Sequence, residues 1–313
     1  MSDKDSARPD AASLREVAAG VHAWIQPDGS WWVNNAGAVL GEDGVVLVDT
    51  CATARRTTRF LAAVAAASGD APIRLAVNTH LHGDHTYGNA LLPESTVLVA
   101  HERTRAGLLA DFILAATPPI WSPLPDWGVT AVRPPTVTLR DELTLHTGQR
   151  RIELRHPGHP AHTEGDVVAW LPAERVLFSG DLLFHGVTPL LLMGSVAGAI
   201  ASLDWLARFA PATVVPGHGP LIDGDALPAV LDAHRRYYGL VRATALAGLA
   251  AGRTPLEAAL DCELGEFAGL PDRERIVLNL HRAYAEERGE EPDLLAAFAD
   301  AVALNGGPMR CVA

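Results

Sequence analysis

Four side chains that can bind a metal ion fall within the short run THLHGDH, residues 79–85. His80 and His82 are separated by one residue, so in extended backbone their imidazoles point to the same side. Asp84 and His85 come after a glycine, where the chain can bend. One loop can therefore supply ligands to two adjacent metal positions, because imidazole and carboxylate groups both suit Zn²⁺.

Three more candidate ligands each stand at the end of a predicted strand. His162 opens the run HTEGD, Asp181 follows the apolar strand 176–179, and His218 stands in the run PGHG after the short strand 213–215. Strand ends are rigid, and glycines let the backbone approach an ion closely. Together with the loop at 79–85, these residues complete two coordination spheres and indicate a binuclear metal site.

The residues between these motifs predict two sheet-forming regions and two helical ones. In the first half, β-rich runs at 22–26, 35–40 and 45–48 precede a helix over 53–67 and a strand at 73–77. A strand at 96–100 and a helix over 102–116 follow, and the Pro/Trp-rich stretch 117–127 is predicted to form a lid or pocket wall. Five short runs between 137 and 179 predict a second sheet, a helix is expected over 196–209, and the chain from 227 onward is almost wholly helical.

This order predicts an α+β fold in which two mixed sheets pack face to face with helices outside, a four-layer αββα sandwich. We expect a polar N-terminal tail over 1–20, a catalytic domain over 21–225 and a helical C-terminal extension over 226–313. The extension would pack on that domain or on a partner subunit, which allows a homo-oligomer.

Composition narrows the class of function. The 25 Lys and Arg against 37 Asp and Glu give a net charge of −12, which repels phosphate backbones and argues against nucleic-acid binding. No uncharged apolar run approaches the roughly 20 residues that cross a bilayer. The 3 cysteines are too few for a disulfide scaffold, and the N-terminus has no apolar signal segment, so we expect a cytoplasmic protein without membrane contact.

The HxHxDH loop followed by a lone His, an Asp and a final His resembles the metallo-β-lactamase fold superfamily over about Val17 to Asp223. The resemblance implies two Zn²⁺ ions per chain, the first held by His80, His82 and His162. The second ion would be held by Asp84, His85 and His218, and Asp181 would bridge the two ions.

The resemblance also assigns residues beside the ligands. Asp49 matches an early structural aspartate of the superfamily, and we expect it to orient a ligand histidine. His159, in the run PGH, competes with His162 as the ligand, but only His162 is followed by the Thr-x-Gly-Asp of the family motif. His185 lies four residues after Asp181. It could face the cleft, or it could be an ordinary polar residue of the surface or core.

Segments outside the metal motifs resemble one branch of the superfamily, the lactamase-fold cyclases and thioesterases of bacterial type II aromatic polyketide biosynthesis. These are the runs WVNNAG, LRDELTLH, GVTP, GSVAG and the C-terminal NGG. The flavodi-iron branch has Glu where His82 stands, and the nucleic-acid-processing branch needs a large insertion that the short gap from Asp181 to His218 excludes.

That branch implies a zinc-dependent cyclase that closes a later ring by intramolecular aldol condensation and could also release the product by thioester hydrolysis. Asp181 is a candidate base, and Asp84 could orient a group or accept a proton. The substrate would be a small-molecule polyketide, either free or tethered to an acyl carrier protein. An acidic carrier protein would bind to a basic rim, for which Arg55, Arg56 and Arg105 are candidates.

Two alternatives remain open from sequence. One is a zinc-dependent thioesterase or lactonase of the hydroxyacylglutathione hydrolase type, which forms no ring, and the other is a binding protein with structural zinc. A cavity for a polycyclic substrate could be lined by seven apolar residues near the metal loops: Trp31, Trp32, Trp121, Trp127, Phe184, Leu191 and Met193.

Overall fold

Two β-sheets lie face to face between layers of helices, in the computed structural model that describes residues 12–313. This arrangement confirms the αββα prediction, and the alternation of side chains along the strands explains it. Val46 and Val48 belong to the apolar core between the sheets, whereas Val45 and Leu47 pack against the outer helix on the opposite face. The sheet is therefore buried on both faces, as a continuous apolar strand predicts.

The first sheet has seven strands in the order β1-β2-β3-β4-β5-β6-β8. The pairs from β1 to β4 are antiparallel and those from β4 to β8 are parallel. Its strands are β1 (Ser13–Ala18), β2 (Val21–Ile25), β3 (Ala36–Gly41), β4 (Gly44–Val48), β5 (Ile73–Val77), β6 (Val97–His101) and β8 (Val137–Leu139).

The second sheet has six strands in the order β14-β13-β12-β11-β10-β9, in which only the pair of β12 and β13 is parallel. Its strands are β9 (Glu142–Thr147), β10 (Arg150–Arg155), β11 (Val168–Leu171), β12 (Val176–Phe184), β13 (Thr213–His218) and β14 (Ile222–Asp223). A Cβ on Gly37 would lie 2.1 Å from the Phe178 ring, so the two sheets are in close contact there.

Helices cover both outer faces. Helix α1 packs on the first sheet, and the C-terminal helices share a large apolar core with the second sheet. The helices are α1 (Ala54–Ser68), α2 (Gly83–Thr86), α3 (Glu102–Leu109), α4 (Val196–Ala207), α5 (Leu227–Ala250), α6 (Pro255–Leu260), α7 (Arg275–Arg288) and α8 (Leu294–Asn305). Within the Pro/Trp-rich stretch 117–127, the short strand β7 (Trp121–Ser122) pairs in parallel with β15 (Met309–Arg310).

Several element boundaries differ from the sequence predictions, among them those of β1 and α3. Strand β1 lies inside the range 1–20 that we predicted as a polar tail, and residues 1–11 of that range lie outside the described residues. Helix α3 ends at Leu109 instead of Ala116. The side chain of Asp111 explains the early end, because its Oδ1 accepts the Leu114 N–H and so competes with helical hydrogen bonding.

None of the helices between residues 12 and 313 is both long and apolar enough to cross a bilayer.

Arg56 ties helix α1 to the loop that carries the tryptophans. It is 2% exposed, and its guanidinium donates to Trp32 O at 3.0 Å, to Asn34 Oδ1 at 3.1 Å and to Asn34 O at 3.0 Å. Our expectation that Arg56 contributes to a basic surface rim is therefore wrong. Its guanidinium donates to buried acceptors instead of facing solvent.

We expect Arg56→Ala to lower the free energy of unfolding by about 3 kcal/mol, because three buried acceptors lose their donor. Urea denaturation of the two proteins measures the difference. The control is Arg55→Ala on the exposed side of the same helix, which should change stability by no more than about 0.5 kcal/mol. Equal effects of the two substitutions would contradict this account of Arg56.

Candidate metal centre

All seven residues that the sequence proposed as ligands come together at one edge of the two sheets. They form two groups, His80, His82, His162 and Asp181 in the first and Asp84, His85 and His218 in the second. Within each group, the atoms that could bind a metal lie within 4.8 Å of one another. All but His82 are buried.

Parallel strand pairs explain this convergence. The parallel strands β4 and β5 end at Val48 and Val77, so Asp49 and the loop with His80 leave the first sheet side by side. In the second sheet, β12 and β13 are also parallel, and they carry Asp181 and His218 near their carboxyl ends. The sequence predicted that Asp181 follows the strand. Strand β12 continues to Phe184, however, so Asp181 lies within it.

Asp181 contacts both groups through its two carboxylate oxygens. Its Oδ2 lies 3.3 Å from His162 Nε2 and 3.4 Å from His218 Nε2. Its Oδ1 lies 3.1 Å from His85 Nε2. This one carboxylate therefore stands between the two sets of imidazoles, where a shared ligand would have to be.

Four of the five histidines have their Nδ1 atom engaged outside the groups. Nδ1 of His162 lies 2.8 Å from Leu190 O, and Nδ1 of His218 lies 2.9 Å from Gly29 O. A carbonyl oxygen can only accept, so both imidazoles carry a proton on Nδ1, and Nε2 is the atom that each directs into its group. That tautomer is the one that binds a metal through Nε2.

Asp49 fixes one histidine of each group, which the sequence anticipated only in part. Its Oδ2 lies 2.8 Å from His85 Nδ1 and accepts the Thr79 hydroxyl at 2.7 Å. Thr79 Oγ1 in turn lies 3.0 Å from His80 Nδ1, so Asp49 reaches His80 through Thr79. Sequence reasoning assigned no role to Thr79. Its place directly before the HxHxDH run was the available signal.

Burial and neighbouring charges divide the histidines into two kinds. Burial lowers the pKa of His162 to about 3 and lowers the pKa of His80 well below its usual value. Burial also acts to lower the pKa of His218 and His85, but the neighbouring carboxylates together outweigh it. Asp181 and Asp84 raise the pKa of His218 to about 9, and with Asp49 they raise that of His85 well above its usual value. A cation bound there would displace those protons.

The donor set fits divalent metal ions. The ion pairs described for the buried carboxylates of Asp49, Asp84 and Asp181 all involve histidines, so neutral imidazoles would leave three negative charges unbalanced. His85 Nε2 and Asp181 Oδ1 are buried and have no hydrogen-bond partner among the described residues. Divalent cations would balance the charge and use both atoms.

The structure separates the two competing histidines of the family motif. His162 belongs to the first group, whereas His159 lies outside both groups, with Nδ1 at 3.2 Å from Pro160 O. Asp166 explains the position of His162, because its carboxylate accepts the N–H and hydroxyl of Thr163 and holds that loop. His185 also lies outside the groups, with Nδ1 at 3.1 Å from Pro220 O.

A cavity of about 310 Å³ opens directly beside the two groups. His82, Asp84, Asp181 and His218 form part of its wall. Most of the remaining wall is apolar and includes five of the seven residues that the sequence suggested: Trp31, Trp32, Trp121, Phe184 and Met193.

The rest of the wall was not foreseen. Leu191 is fully buried in the core, and its neighbours Leu190 and Leu192 face the cavity instead. Trp127 packs behind Trp32, with ring centroids 4.5 Å apart.

Helices α7 and α8 contribute three wall residues, Arg275, Leu294 and Phe298, which sequence reasoning missed because no local pattern links them to the metal loops. A hydrogen-bonded pair was missed in the same way, since Tyr87 donates its hydroxyl to Asp111 Oδ2 at 2.9 Å.

The Metallo-beta-lactamase superfamily model matches residues 29–218, which is more than half of the chain. The chain belongs to this superfamily. The match confirms the resemblance inferred from the HxHxDH loop. Among solved structures, a metallo-beta-lactamase from Pontibacter korlensis aligns with a TM-score of 0.58 at 21% identity, over 73% of this chain and 99% of that one.

Curated relatives of this metallo-β-lactamase superfamily protein match at similar levels. The acyl-coenzyme A thioesterase MBLAC2 of Bos taurus is 28% identical over 185 residues, 51% of this chain and 65% of the relative. The 2,4-dinitroanisole O-demethylase subunit alpha of a Nocardioides species is 28% identical over 155 residues, 48% of this chain and 42% of the relative. The chain thus spans less than two thirds of the length of both relatives.

One structural similarity extends into the C-terminal helices. The sec-alkylsulfatase Pisa1 from a Pseudomonas species aligns over 91% of this chain and 51% of its own, with a TM-score of 0.67 and 19% identity. At 19% identity, the alignment is evidence for a shared fold and for nothing more. It indicates that the superfamily protein described here shares its overall architecture beyond residue 218.

We expect Asp49→Asn to weaken metal binding by about 10- to 100-fold, because the charged partner of His85 and Thr79 is lost while the shape is kept. Competition with a chelator of known affinity measures the change. Asp70→Asn is the matched control, since Asp70 has the same left-handed backbone, with φ of 59° against 62°, but is exposed. Unchanged affinity in Asp49→Asn would remove Asp49 from the site.

Proposed function

We propose that this protein is a binuclear zinc-dependent cyclase of aromatic polyketide biosynthesis. It would close a later ring by intramolecular aldol condensation and release the product by thioester hydrolysis. The observation that carries the proposal is the apolar, aromatic-walled cavity directly beside the two metal-binding groups. The membership of the hydrolytic superfamily and the runs shared with the cyclase branch support it.

The shape and lining of the cavity suit a folded polyketide chain. Its volume of about 310 Å³ is at the lower end of the range of small-molecule sites. Trp32 stands at the centre of an aromatic cluster, with ring centroids 5.1 Å from Trp121 and 6.0 Å from Tyr87. Flat aromatic faces of this kind favour stacking with a partly aromatic substrate.

We assign one Zn²⁺ ion to His80, His82 and His162 and a second to Asp84, His85 and His218, with Asp181 between them. Zinc in these positions supplies Lewis acidity, which polarises a carbonyl oxygen and makes water more acidic. The remaining requirements fall on the chain itself.

Asp84 and Asp181 line the cavity, so their carboxylates can orient the reacting groups or accept a carbon-bound proton. The apolar wall limits the access of bulk water to the reacting carbonyl carbons. This restriction favours attack by the substrate's own nucleophilic carbon over hydrolysis before the ring has closed.

The substrate would arrive on an acyl carrier protein. Of the three arginines that we considered for a basic rim, Arg55 is exposed, whereas Arg56 is buried and Arg105 donates to Pro135 O. The basic rim that we predicted at these three positions therefore has fewer exposed positive charges than the sequence suggested. Carrier recognition would depend on other contacts around the cavity mouth.

The alternative function is a thioesterase or lactonase that forms no ring. The name of the MBLAC2 relative, an acyl-coenzyme A thioesterase, favours thioester cleavage, and it is the specific observation for this second candidate. The same site would serve both reactions, since each develops negative charge on a former carbonyl oxygen.

For the metal content, we expect the wild-type protein to contain two zinc ions per chain and His162→Ala to lose one of them. The substitution removes one of the three imidazoles of the first group and leaves two imidazoles with the shared Asp181 carboxylate, a set that binds its ion more weakly. Elemental analysis by mass spectrometry gives the count. His159→Ala, three residues earlier and outside both groups, should retain two ions, and loss of metal from it would reverse the assignment.

For the reaction, we expect the zinc-loaded protein to convert a carrier-bound poly-β-ketone into a ring-closed product that has lost one water. Mass spectrometry of the product distinguishes dehydrative ring closure from simple addition of water to the thioester. Asp181→Ala should abolish turnover while circular dichroism shows an intact fold, because Asp181 contacts both groups.

Release of a free acid without any new ring would reject the cyclase and favour the thioesterase. Unchanged turnover in Asp181→Ala would show that the reaction takes place elsewhere.

A further inference from the structure

Arg275 is a buried cation in the wall of the cavity. It is the first residue of helix α7, is 2% exposed, and lines the same cavity as Asp84 and Asp181. Among the described residues that line this cavity, it is the one Arg or Lys. A charged side chain is rarely buried without partners that use its charge.

The partners of Arg275 use only part of its hydrogen-bonding capacity. Nη1 donates to Thr188 O at 2.9 Å, and Nη2 lies 2.9 Å from Asp272 Oδ2. Its Nε is buried and has no hydrogen-bond partner among the described residues. Since a guanidinium carries five N–H donors, three of them have no partner among the described residues.

Two more donors in the same wall lack partners. The indole Nε1 atoms of Trp32 and Trp121 are buried without a hydrogen bond within the described part of the chain, and both residues line the cavity. Trp31 is different, because its Nε1 donates to Glu274 at 2.7 Å. An unpaired buried donor costs free energy, so three of them around one apolar cavity indicate a ligand that brings acceptor oxygens.

A short series of rings relates Arg275 to the metal-binding groups. The guanidinium carbon lies 4.6 Å from the Trp31 ring centroid and 5.9 Å from the Phe184 ring centroid. Phe184 in turn stacks on His218, with ring centroids 5.4 Å apart. Arg275 and His218 therefore both contact the Phe184 ring, and both line the same cavity.

We propose that Arg275 is a specificity-determining residue that binds an anionic oxygen of the substrate, an enolate or a carboxylate, away from the reacting carbonyl. The inference rests on the proposed function only in taking the substrate of this cavity to be an acyl compound rich in oxygen. A guanidinium suits this role because it stays charged and donates several hydrogen bonds in one plane.

Binding of unreactive probes to the zinc-loaded protein tests the inference without any turnover. The probes are 2-naphthoate, which is a carboxylate, 1-phenyl-1,3-butanedione, which forms an enolate, and methyl 2-naphthoate, which is a neutral ester of similar shape. We expect Arg275→Met to weaken binding of at least one anionic probe by about tenfold or more, as for a lost hydrogen bond to a charged group. Binding of the ester should change by less than about twofold, and calorimetry measures all three dissociation constants.

Two further variants separate binding from folding. Arg275→Met leaves the Asp272 carboxylate without its partner, so the double variant Arg275→Met with Asp272→Asn removes both charges together. Arg273→Met, at an exposed position two residues earlier, is the control for a lost arginine outside the cavity. Melting temperatures and circular dichroism establish that each variant is folded.

Loss confined to naphthoate identifies a carboxylate as the ligand group, and loss confined to the diketone identifies an enolate. Equal weakening of all three probes, or unchanged binding of all three in the folded double variant, would overturn the inference and leave Arg275 a purely structural residue. A protein that discriminates the probes but closes no ring would refute the proposed cyclase while retaining the assignment of Arg275.

Discussion

The structure depends on the burial of three carboxylates, Asp49, Asp84 and Asp181, among five imidazoles. Charges at this depth are costly unless they are balanced and hydrogen-bonded. Part of the required hydrogen bonding comes from the backbone around the site, because carbonyl oxygens accept from Nδ1 of His162 and Nδ1 of His218. The carbonyls thereby hold both imidazoles with Nε2 directed into the groups, so the charge requirement can be met at defined positions.

The sheets make that orientation possible. The ligands leave strands of two different sheets, so their relative positions are only as fixed as the packing between the sheets. The ring of Phe178 packs where a side chain on Gly37 would be, which holds the sheets in contact. Asn35 adds polar contacts between them, since its side-chain amide donates to Pro216 O and Gly219 O on either side of His218.

The features that could be predicted from the sequence are those that depend on residues close together along the chain. The HxHxDH loop, most strands and the choice of His162 over His159 follow from residues adjacent in sequence, and the structure brings those ligands together. Features set by contacts between distant residues were missed. Helix α3 ends early because of the Asp111 side chain, and Arg56 is buried because acceptors 22 and 24 residues away surround it. Neither contact leaves a periodic signal in the sequence.

The same distinction bears on how this protein acquires specificity. The family model spans residues 29–218, which contain all seven residues of the two groups, so the candidate metal ligands belong to the shared part of the fold. Arg275, Leu294 and Phe298 lie beyond it, on helices that pack over the second sheet and complete the cavity wall. On the proposed function, the metal ions would polarise whatever carbonyl is presented to them, so the choice of substrate would come from that wall. The C-terminal helices are therefore the part of the chain in which selectivity can change while the ligands stay fixed.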